Sequence, residues 1–352
     1  MQNARLSPGD PAADQAVGSD SAQAVGAADA AAPGVAAEPS PDQLAEVAFL
    51  TGVGADGHTD AVNFWTWHRD KPATYPGPDS AHKWLGGTAG SPGGVVRYSF
   101  DPASNWSPAE EAGWVSAMTL WSAVANISFV AATEPSQTTL TIYRSSDGNS
   151  AENDHHSMVP VGSSELGETT SATISVDTSA FGSPNDFDTF GGFGVGNAVH
   201  ELGHLLGLGH GGPYNAQFDS ATQQYGPLDT RLWAIMSYIP ATDTSAKYFD
   251  QYPVTGTAWG SNTQSFTWMP LDILAAQRLY GKPVSTPLSG GQVFGFNCNV
   301  TGPLNQYFNF EIDTKPVVTL GTAARTTRST CRASTARPPL TWSPGLTRAA
   351  RA

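Results

Sequence analysis

The histidine-rich segment at residues 200–210 constrains this chain more than any other feature of its sequence. It reads HELGHLLGLGH and fits the pattern H-E-x-x-H-x-x-G-x-x-H. On a helix, residues four positions apart share a face, so His200 and His204 can reach one metal ion. Gly207 can leave the helix with a positive φ, and the turn can then return His210 as a third ligand. Three neutral imidazoles are typical of a catalytic zinc site, which keeps one coordination position open for water.

Glu201 directly follows the first predicted ligand. This position puts its carboxylate beside the metal but not on it, where a general base is needed. Two other interpretations exist, because a lone H-E-x-x-H can be a polar helix face and three histidines can hold a purely structural zinc. However, five fixed positions recur by chance in roughly one in 10⁵ chains of this size, and a structural zinc has no use for Glu201. The segment therefore predicts a zinc-dependent hydrolase.

A second motif, Ala-Ile-Met-Ser-Tyr at residues 234–238, follows the histidines. A long histidine motif followed by such a methionine turn is typical of metzincin metalloproteases. The chain resembles the serralysin branch of that group from about residue 84 to residue 320. Gly212-Pro213 departs from the family, which more often has Pro followed by Gly-Asp, and we expect a local change of the loop there. Further stretches that carry the resemblance are 210–216, 271–281 and 292–297.

The resemblance implies an endopeptidase that acts on protein or peptide substrates with one catalytic zinc ion. It implies that Met236 forms the hydrophobic floor beneath the metal and that Tyr238 is an additional zinc ligand able to swing away. From the residues alone, the Tyr238 phenol could donate to a developing oxyanion, or it could simply be packed. The family is secreted and binds calcium in a β-roll of G-G-x-G-x-D repeats, but those repeats are absent here.

Composition narrows the possible partners. The formal net charge is -14, and so acidic a chain is poorly suited to nucleic acid or to anionic membranes. No apolar run approaches the ~18 residues that span a bilayer, and the N-terminus lacks the apolar core of a signal peptide. With only Cys298 and Cys331, a disulfide scaffold or a cysteine zinc cluster is excluded. We expect a monomer, with Cys298 a small buried side chain.

The order of predicted elements indicates an α+β metzincin catalytic domain with a twisted mixed sheet and an active-site helix, followed by the beginning of a truncated β-roll. A capping box at Ser107–Glu110 opens a helix that buries Trp114, Met118, Trp121 and Ala125. A glycine-rich loop at 191–196 precedes the zinc helix, near 197–208, and a last helix spans 270–280. Strands are predicted at 95–100, 127–131, 139–143, 157–161 and 172–176.

Composition and the resemblance together divide the chain into four predicted segments. Residues 1–44 lack large apolar side chains and are predicted to be a disordered leader or pro-segment. Residues 45–285 are the predicted catalytic domain, and residues 286–320 the start of the β-roll. The last 32 residues hold six arginines and no acidic residue. Back-translation with one base restored before Gly321 yields a frame that resembles the family's linker into the β-roll. We therefore interpret 321–352 as a frameshifted, disordered tail and the family's export signal as lost, although a basic nucleic-acid or membrane arm is the alternative.

The remaining histidines and the substrate site complete the predictions. His155 and His156, like His58, His68 and His82, are predicted to be solvated loop or turn residues. An exposed sheet edge would bind substrate as an additional strand, and residues 157–161 are our candidate for it. Two other functions stay open: a catalytically silent binding protein on a metalloprotease fold, and a zinc hydrolase of non-protein amides. Digestion of casein that is lost on chelation separates all three.

Overall fold

A mixed sheet is the framework of the fold. The computed structural model describes residues 38–60, 81–146, 150–177, 186–190, 193–215, 218–240, 243, 245–247, 265–312, 318–320, 328–330 and 349–350. In these residues the strands β1, β7, β5, β3 and β4 lie side by side in that order and pair in parallel. Strands β2 and β6 each pair with β7 in the antiparallel sense. The strands are β1 (His82–Trp84), β2 (Gly87–Thr88), β3 (Gly94–Phe100), β4 (Ile127–Ala131), β5 (Leu140–Arg144), β6 (Ser150–His156) and β7 (Glu165–Val176).

The described helices pack on one another and on this sheet. They are α1 (Pro41–Thr51), α2 (Pro108–Ser122), α3 (Phe193–Leu205), the short α4 (Ser220–Gln223), α5 (Pro270–Tyr280) and the short α6 (Asn305–Phe308). The predicted capping box of α2 is present, with Ser107 and Glu110 bonded to each other's backbone N–H groups. The predicted α+β class with a mixed sheet is confirmed. Among the described residues, no helix is both long and apolar enough to cross a membrane.

Two helices begin earlier than the sequence predicts. The zinc helix α3 begins at Phe193, so part of the predicted glycine-rich loop is its first turn, because the buried side chain of Val195 extends its apolar face. Helix α1 begins at Pro41, inside the predicted leader, because Ser40 and Gln43 form a capping box around it. Residues 1–37 of that leader lie outside the described residues.

The strand predicted at 157–161 was also wrong. That stretch is irregular, and the strand that the structure contains is β6, which ends at His156, directly before it. Its sequence, SAENDHH, has no apolar alternation, because an edge strand with a polar face needs none. His155 and His156 therefore lie on a strand and not in a loop. His82 lies buried on β1, and its ring stacks on that of His156 with centroids 3.8 Å apart. His58 is near an exposed turn as predicted, and His68 lies outside the described residues.

The core continues into the segment predicted to begin a β-roll. Phe294, Tyr307 and Phe308 are fully buried and belong to the same hydrophobic cluster as α2, α3 and α5. Tyr307 places its hydroxyl 2.9 Å from Ser116 Oγ on α2. The short strands β8 (Val293–Gly295) and β9 (Val318–Thr319) lie in this segment. The described residues of the segment 286–320 thus pack directly on the predicted catalytic domain.

Two short strands are described beyond residue 320. Strand β10 (Arg328–Thr330) pairs in parallel with β8, and β11 (Ala349–Ala350) pairs antiparallel with β9. The rest of the predicted frameshifted tail lies outside the described residues, so its predicted disorder stays a prediction.

Candidate metal centre

Helix α3 is fixed in place by two tryptophans. The indole N–H of Trp121 donates to Val199 O at 3.0 Å, and that of Trp84 donates to Leu205 O at 2.9 Å. The helix then ends at Gly207, whose φ is +94° as the sequence predicts. Leu208 N bonds back to Gly203 O, and a side chain at residue 207 would collide with His82 O. This glycine-terminated turn redirects the chain toward the third histidine.

The three predicted ligands converge. His204 Nε2 lies 3.0 Å and His200 Nε2 lies 3.3 Å from His210 Nε2. Tetrahedral ligands at ~2.1 Å from a zinc ion lie roughly 3.4 Å apart, so these nitrogens can share one ion with little movement. All three rings are buried, with at most 7% of each residue exposed. Among the described residues, the ligand atoms of these three histidines lie within 4.8 Å of one another, which is close enough to hold one metal ion.

The other ring nitrogen of each histidine faces a backbone carbonyl. His200 Nδ1 is 3.0 Å from Ile235 O, His204 Nδ1 is 2.8 Å from Leu208 O, and His210 Nδ1 is 2.8 Å from Tyr214 O. A carbonyl can only accept a hydrogen bond, so each Nδ1 carries the proton and each Nε2 keeps its lone pair for the metal. The donor set therefore fits zinc.

Burial shifts the pKa values of these groups. Burial, and then repulsion from His204, lowers the pKa of both His200 and His210 well below the usual value, which favours the neutral, ligating imidazole. Glu201 is 5% exposed. Its burial raises the pKa of that carboxyl to about 8 in the absence of metal. A carboxyl poised near neutral pH can both accept and release a proton.

The methionine turn lies directly beneath α3. A side chain on Gly203 would collide with the sulfur of Met236, so the helix packs on that methionine without a gap. The ring of Tyr238 is half-buried, with its centroid 4.3 Å from that of His210 and 5.8 Å from that of His200. The structure thus brings all five predicted functional residues and the methionine floor into one place.

Sequence reasoning missed two buried aspartates around this turn. Asp272 on α5 accepts hydrogen bonds from Ile235 N at 2.7 Å and Met269 N at 2.6 Å. Asp229 accepts from the hydroxyls of Tyr214 at 2.5 Å and Ser237 at 2.8 Å. Each aspartate has a partner that is distant in sequence, 37 positions away for Asp272 and 15 positions away for Asp229.

Comparison with known proteins gives relatives of one kind. The chain is 35% identical over 113 residues to the metalloprotease AprA of Pseudomonas entomophila, covering 31% of the chain and 21% of that protein. It is 38% identical over 107 residues to serralysin A of Dickeya chrysanthemi, covering 30% and 19%. The metallopeptidase AprA of Pseudomonas marginalis matches over 217 residues at 27% identity, covering 60% and 42%. No protein-family model matches the chain.

These relatives and the histidine triad support a serralysin-type metzincin. They also support zinc as its metal. The chain matches less than half of the length of each of these relatives. A zinc-protease of known structure, the high choriolytic enzyme 1 of medaka, aligns with 53% of the chain over 90% of its own length. That likeness, at 16% identity and a TM-score of 0.30, is too distant to add to this assignment.

Proposed function

We propose that this chain is a zinc-dependent endopeptidase of the serralysin type. The observation that carries the proposal is the convergence of the Nε2 atoms of His200, His204 and His210, with Glu201 buried on the same helix. A purely structural zinc site has no use for that glutamate. A silent binding protein would not require it either.

The residues divide the chemistry among them. When bound, zinc supplies a Lewis acid that polarises the scissile carbonyl and brings the pKa of a water near 7. Glu201 takes the proton of the attacking water and passes it to the leaving amine. Tyr238, beside His210 and His200, donates from its phenol to the developing oxyanion and is a further, displaceable ligand.

The sheet edge at β6 takes the place of residues 157–161 as the proposed substrate site. β6 pairs with β7 along one side, and no other described strand pairs with it. Ser150 at its start accepts a hydrogen bond from the side chain of Asn197 on α3 at 2.9 Å, which brings the strand close to the zinc helix. An extended peptide could add to this edge and lie across the metal centre.

The remaining parts of the proposal follow the resemblance. We propose that the substrates are proteins or peptides. We also propose that the chain is a secreted relative of the serralysins and acts as a monomer. The proposal assigns one zinc to the chain. It assigns no calcium to a nonapeptide roll, since the sequence holds no G-G-x-G-x-D repeat.

The test is digestion of casein by the purified chain. We expect clearing in a casein gel, loss of clearing after dialysis against a zinc chelator, and recovery when zinc is returned. Intact casein at every zinc concentration would contradict the proposal. Hydrolysis of small amides without any hydrolysis of casein would replace it by a zinc amidase.

A further inference from the structure

Tyr214 contacts two different parts of the metal centre. It is buried, with 1% of its surface exposed, four residues after the third ligand. Its backbone carbonyl accepts the hydrogen bond from His210 Nδ1 at 2.8 Å, while its hydroxyl accepts from the backbone N–H of Tyr238 at 3.2 Å. Its ring also stacks on that of Tyr238, with centroids 5.2 Å apart.

Asp229 fixes the direction of the Tyr214 hydroxyl. The phenolic O–H donates to Asp229 Oδ1 at 2.5 Å, and the Ser237 hydroxyl donates to the same oxygen at 2.8 Å. A phenol has one proton, so donation to Asp229 leaves the lone pairs of Tyr214 for the N–H of Tyr238. The second carboxylate oxygen, Oδ2, is held by Tyr225 N at 3.1 Å. Hydrogen bonds therefore hold both carboxylate oxygens of Asp229, and the carboxylate in turn orients the hydroxyl of Tyr214.

The loop after His210 makes room for this arrangement. A side chain at Gly211 or Gly212 would collide with the carboxylate of Asp229. The double glycine thus lets the third-ligand loop and the methionine turn meet at one buried carboxylate. This explains the Gly212-Pro213 departure only in part, because nothing in the structure explains the proline.

We propose that Tyr214 is a positioning residue for Tyr238, with Asp229 orienting its hydroxyl. The hydroxyl holds the backbone of residue 238, and this sets where the Tyr238 phenol stands relative to the three histidines. The proposal rests on the proposed function, because it is there that Tyr238 acts. The plain alternative is that the Tyr214 hydroxyl is a satisfied polar group of the core with no effect on the site.

Tyr214→Phe separates these two interpretations, because it keeps the ring and the carbonyl that accepts from His210 and removes only the hydroxyl. Tyr307→Phe is the matched control. Tyr307 is equally buried, its hydroxyl bonds to Ser116, and the zinc site does not involve it. Both variants lose one buried hydroxyl, and Tyr214→Phe should lower the melting temperature more, because it also takes a donor from the buried Asp229 carboxylate.

Kinetics of the zinc-loaded full chain give the first readout. We expect Tyr214→Phe to lower kcat about tenfold, since small misplacements near the chemistry cost up to ~10²-fold, with KM and zinc content unchanged. Tyr307→Phe should leave kcat as it is. In a Tyr238→Phe background, Tyr214→Phe should cause no further loss, since its effect passes through the phenol that is missing. An unchanged kcat, or an equal loss in both backgrounds, would overturn the proposal.

Copper(II) loading gives a second readout that needs no activity. A phenolate bound to copper(II) gives a charge-transfer band in the visible spectrum. We expect this band in the wild type and in Tyr307→Phe, its absence in Tyr238→Phe, and a weakened or shifted band in Tyr214→Phe. A wild-type chain with the band but without proteolysis would refute the proposed function alone. A wild type without the band, or an identical band in Tyr214→Phe, would refute the positioning role.

Discussion

Each ligand in this centre is held by a backbone carbonyl and not by a carboxylate side chain. Ile235, Leu208 and Tyr214 provide those carbonyls, and all three belong to segments that α3 packs against or runs into. A carbonyl is a neutral acceptor, so it fixes the tautomer without adding negative charge to the site.

The first prediction concerns Glu201. Replacing it with alanine should abolish peptide hydrolysis and leave zinc bound, because the residue is assigned as a base and the three imidazoles remain. Zinc content measured by metal analysis should stay near one per chain, with the wild type measured beside it. If the variant loses its zinc, the role assigned to Glu201 is wrong.

The second prediction concerns Tyr238. Tyr238→Phe should retain zinc and lower kcat more than it raises KM, because one donor to the oxyanion is removed. Loss of such a donor typically costs ~10²-fold in kcat, or about 3 kcal/mol. Steady-state kinetics on a peptide substrate would measure this, and an unchanged kcat would return Tyr238 to a packing role.

The metal-binding residues were predictable from sequence because their spacing is local. Helical periodicity brings His200 and His204 together, and the glycine-terminated turn brings His210 back within ten residues of the first. Asp229 and Asp272 were not predictable, because their partners Tyr214 and Ile235 lie in segments that only the fold brings near. The stack of His82 on His156 was missed for the same reason, since 74 positions separate two residues of different strands.

At the scale of the element, capping residues predicted helices better than apolar patterns predicted strands. The capping box of α2 and the proline that opens α5 gave starts that agree with the structure. Strands β3 and β4 were predicted within a residue, because each is a short run rich in β-branched and aromatic residues that favour strands. Strand β6 was missed, because an edge strand made of polar residues is specified by its partner and not by its own sequence.

Helix α1 provides the third prediction. Glu46 is 3% exposed on the inner face of α1. Burial, and then the nearby Asp229, raise the pKa of Glu46 from 4.5 to about 9. The folded chain therefore keeps a proton between these values that the unfolded chain has lost. Stability contributed by this proton is complete below pH 4.5 and is lost as the pH rises toward 9.

Glu46→Gln removes that titration. Below pH 4.5 the variant and the wild type should unfold at similar denaturant concentrations. As the pH rises, the wild type should lose stability more steeply, by at most about 1.4 kcal/mol per pH unit for one proton, so that the variant is the more stable at pH 8. Urea unfolding at pH 4, 6 and 8 would measure this. Asp229, whose pKa burial raises to about 6, titrates in both proteins and drops out of the comparison. Parallel pH profiles would show that Glu46 is ionised in the folded chain.

For the whole molecule, the segment after α5 decides where the folding unit ends. The sequence suggested a boundary near residue 285, because the resemblance to a β-roll begins there. In the structure, Trp268 and Phe308 approach to 6.0 Å between ring centroids, and Leu288, Phe294 and Tyr307 join the common core. Side chains on both sides of the predicted boundary thus exclude water from the same interior.

The last prediction compares two truncations. A chain that ends at Leu320 loses β10 and β11, which pair with two strands of two or three residues. It should keep its zinc, its casein digestion and nearly its melting temperature.

A chain that ends at residue 285 loses Phe294, Tyr307 and Phe308, all fully buried. Loss of one buried aromatic side chain typically costs ~3–5 kcal/mol. Three such losses amount to about 9–15 kcal/mol. An ordinary domain is stabilised by about 5–15 kcal/mol, so the losses are comparable to its whole stability. The shorter chain should therefore be insoluble or unfolded, as circular dichroism and zinc content would show. A folded, zinc-binding chain of 285 residues would mean that residues 286–320 are an independent attachment. Loss of zinc on cutting at Leu320 would mean that the basic tail is part of the fold.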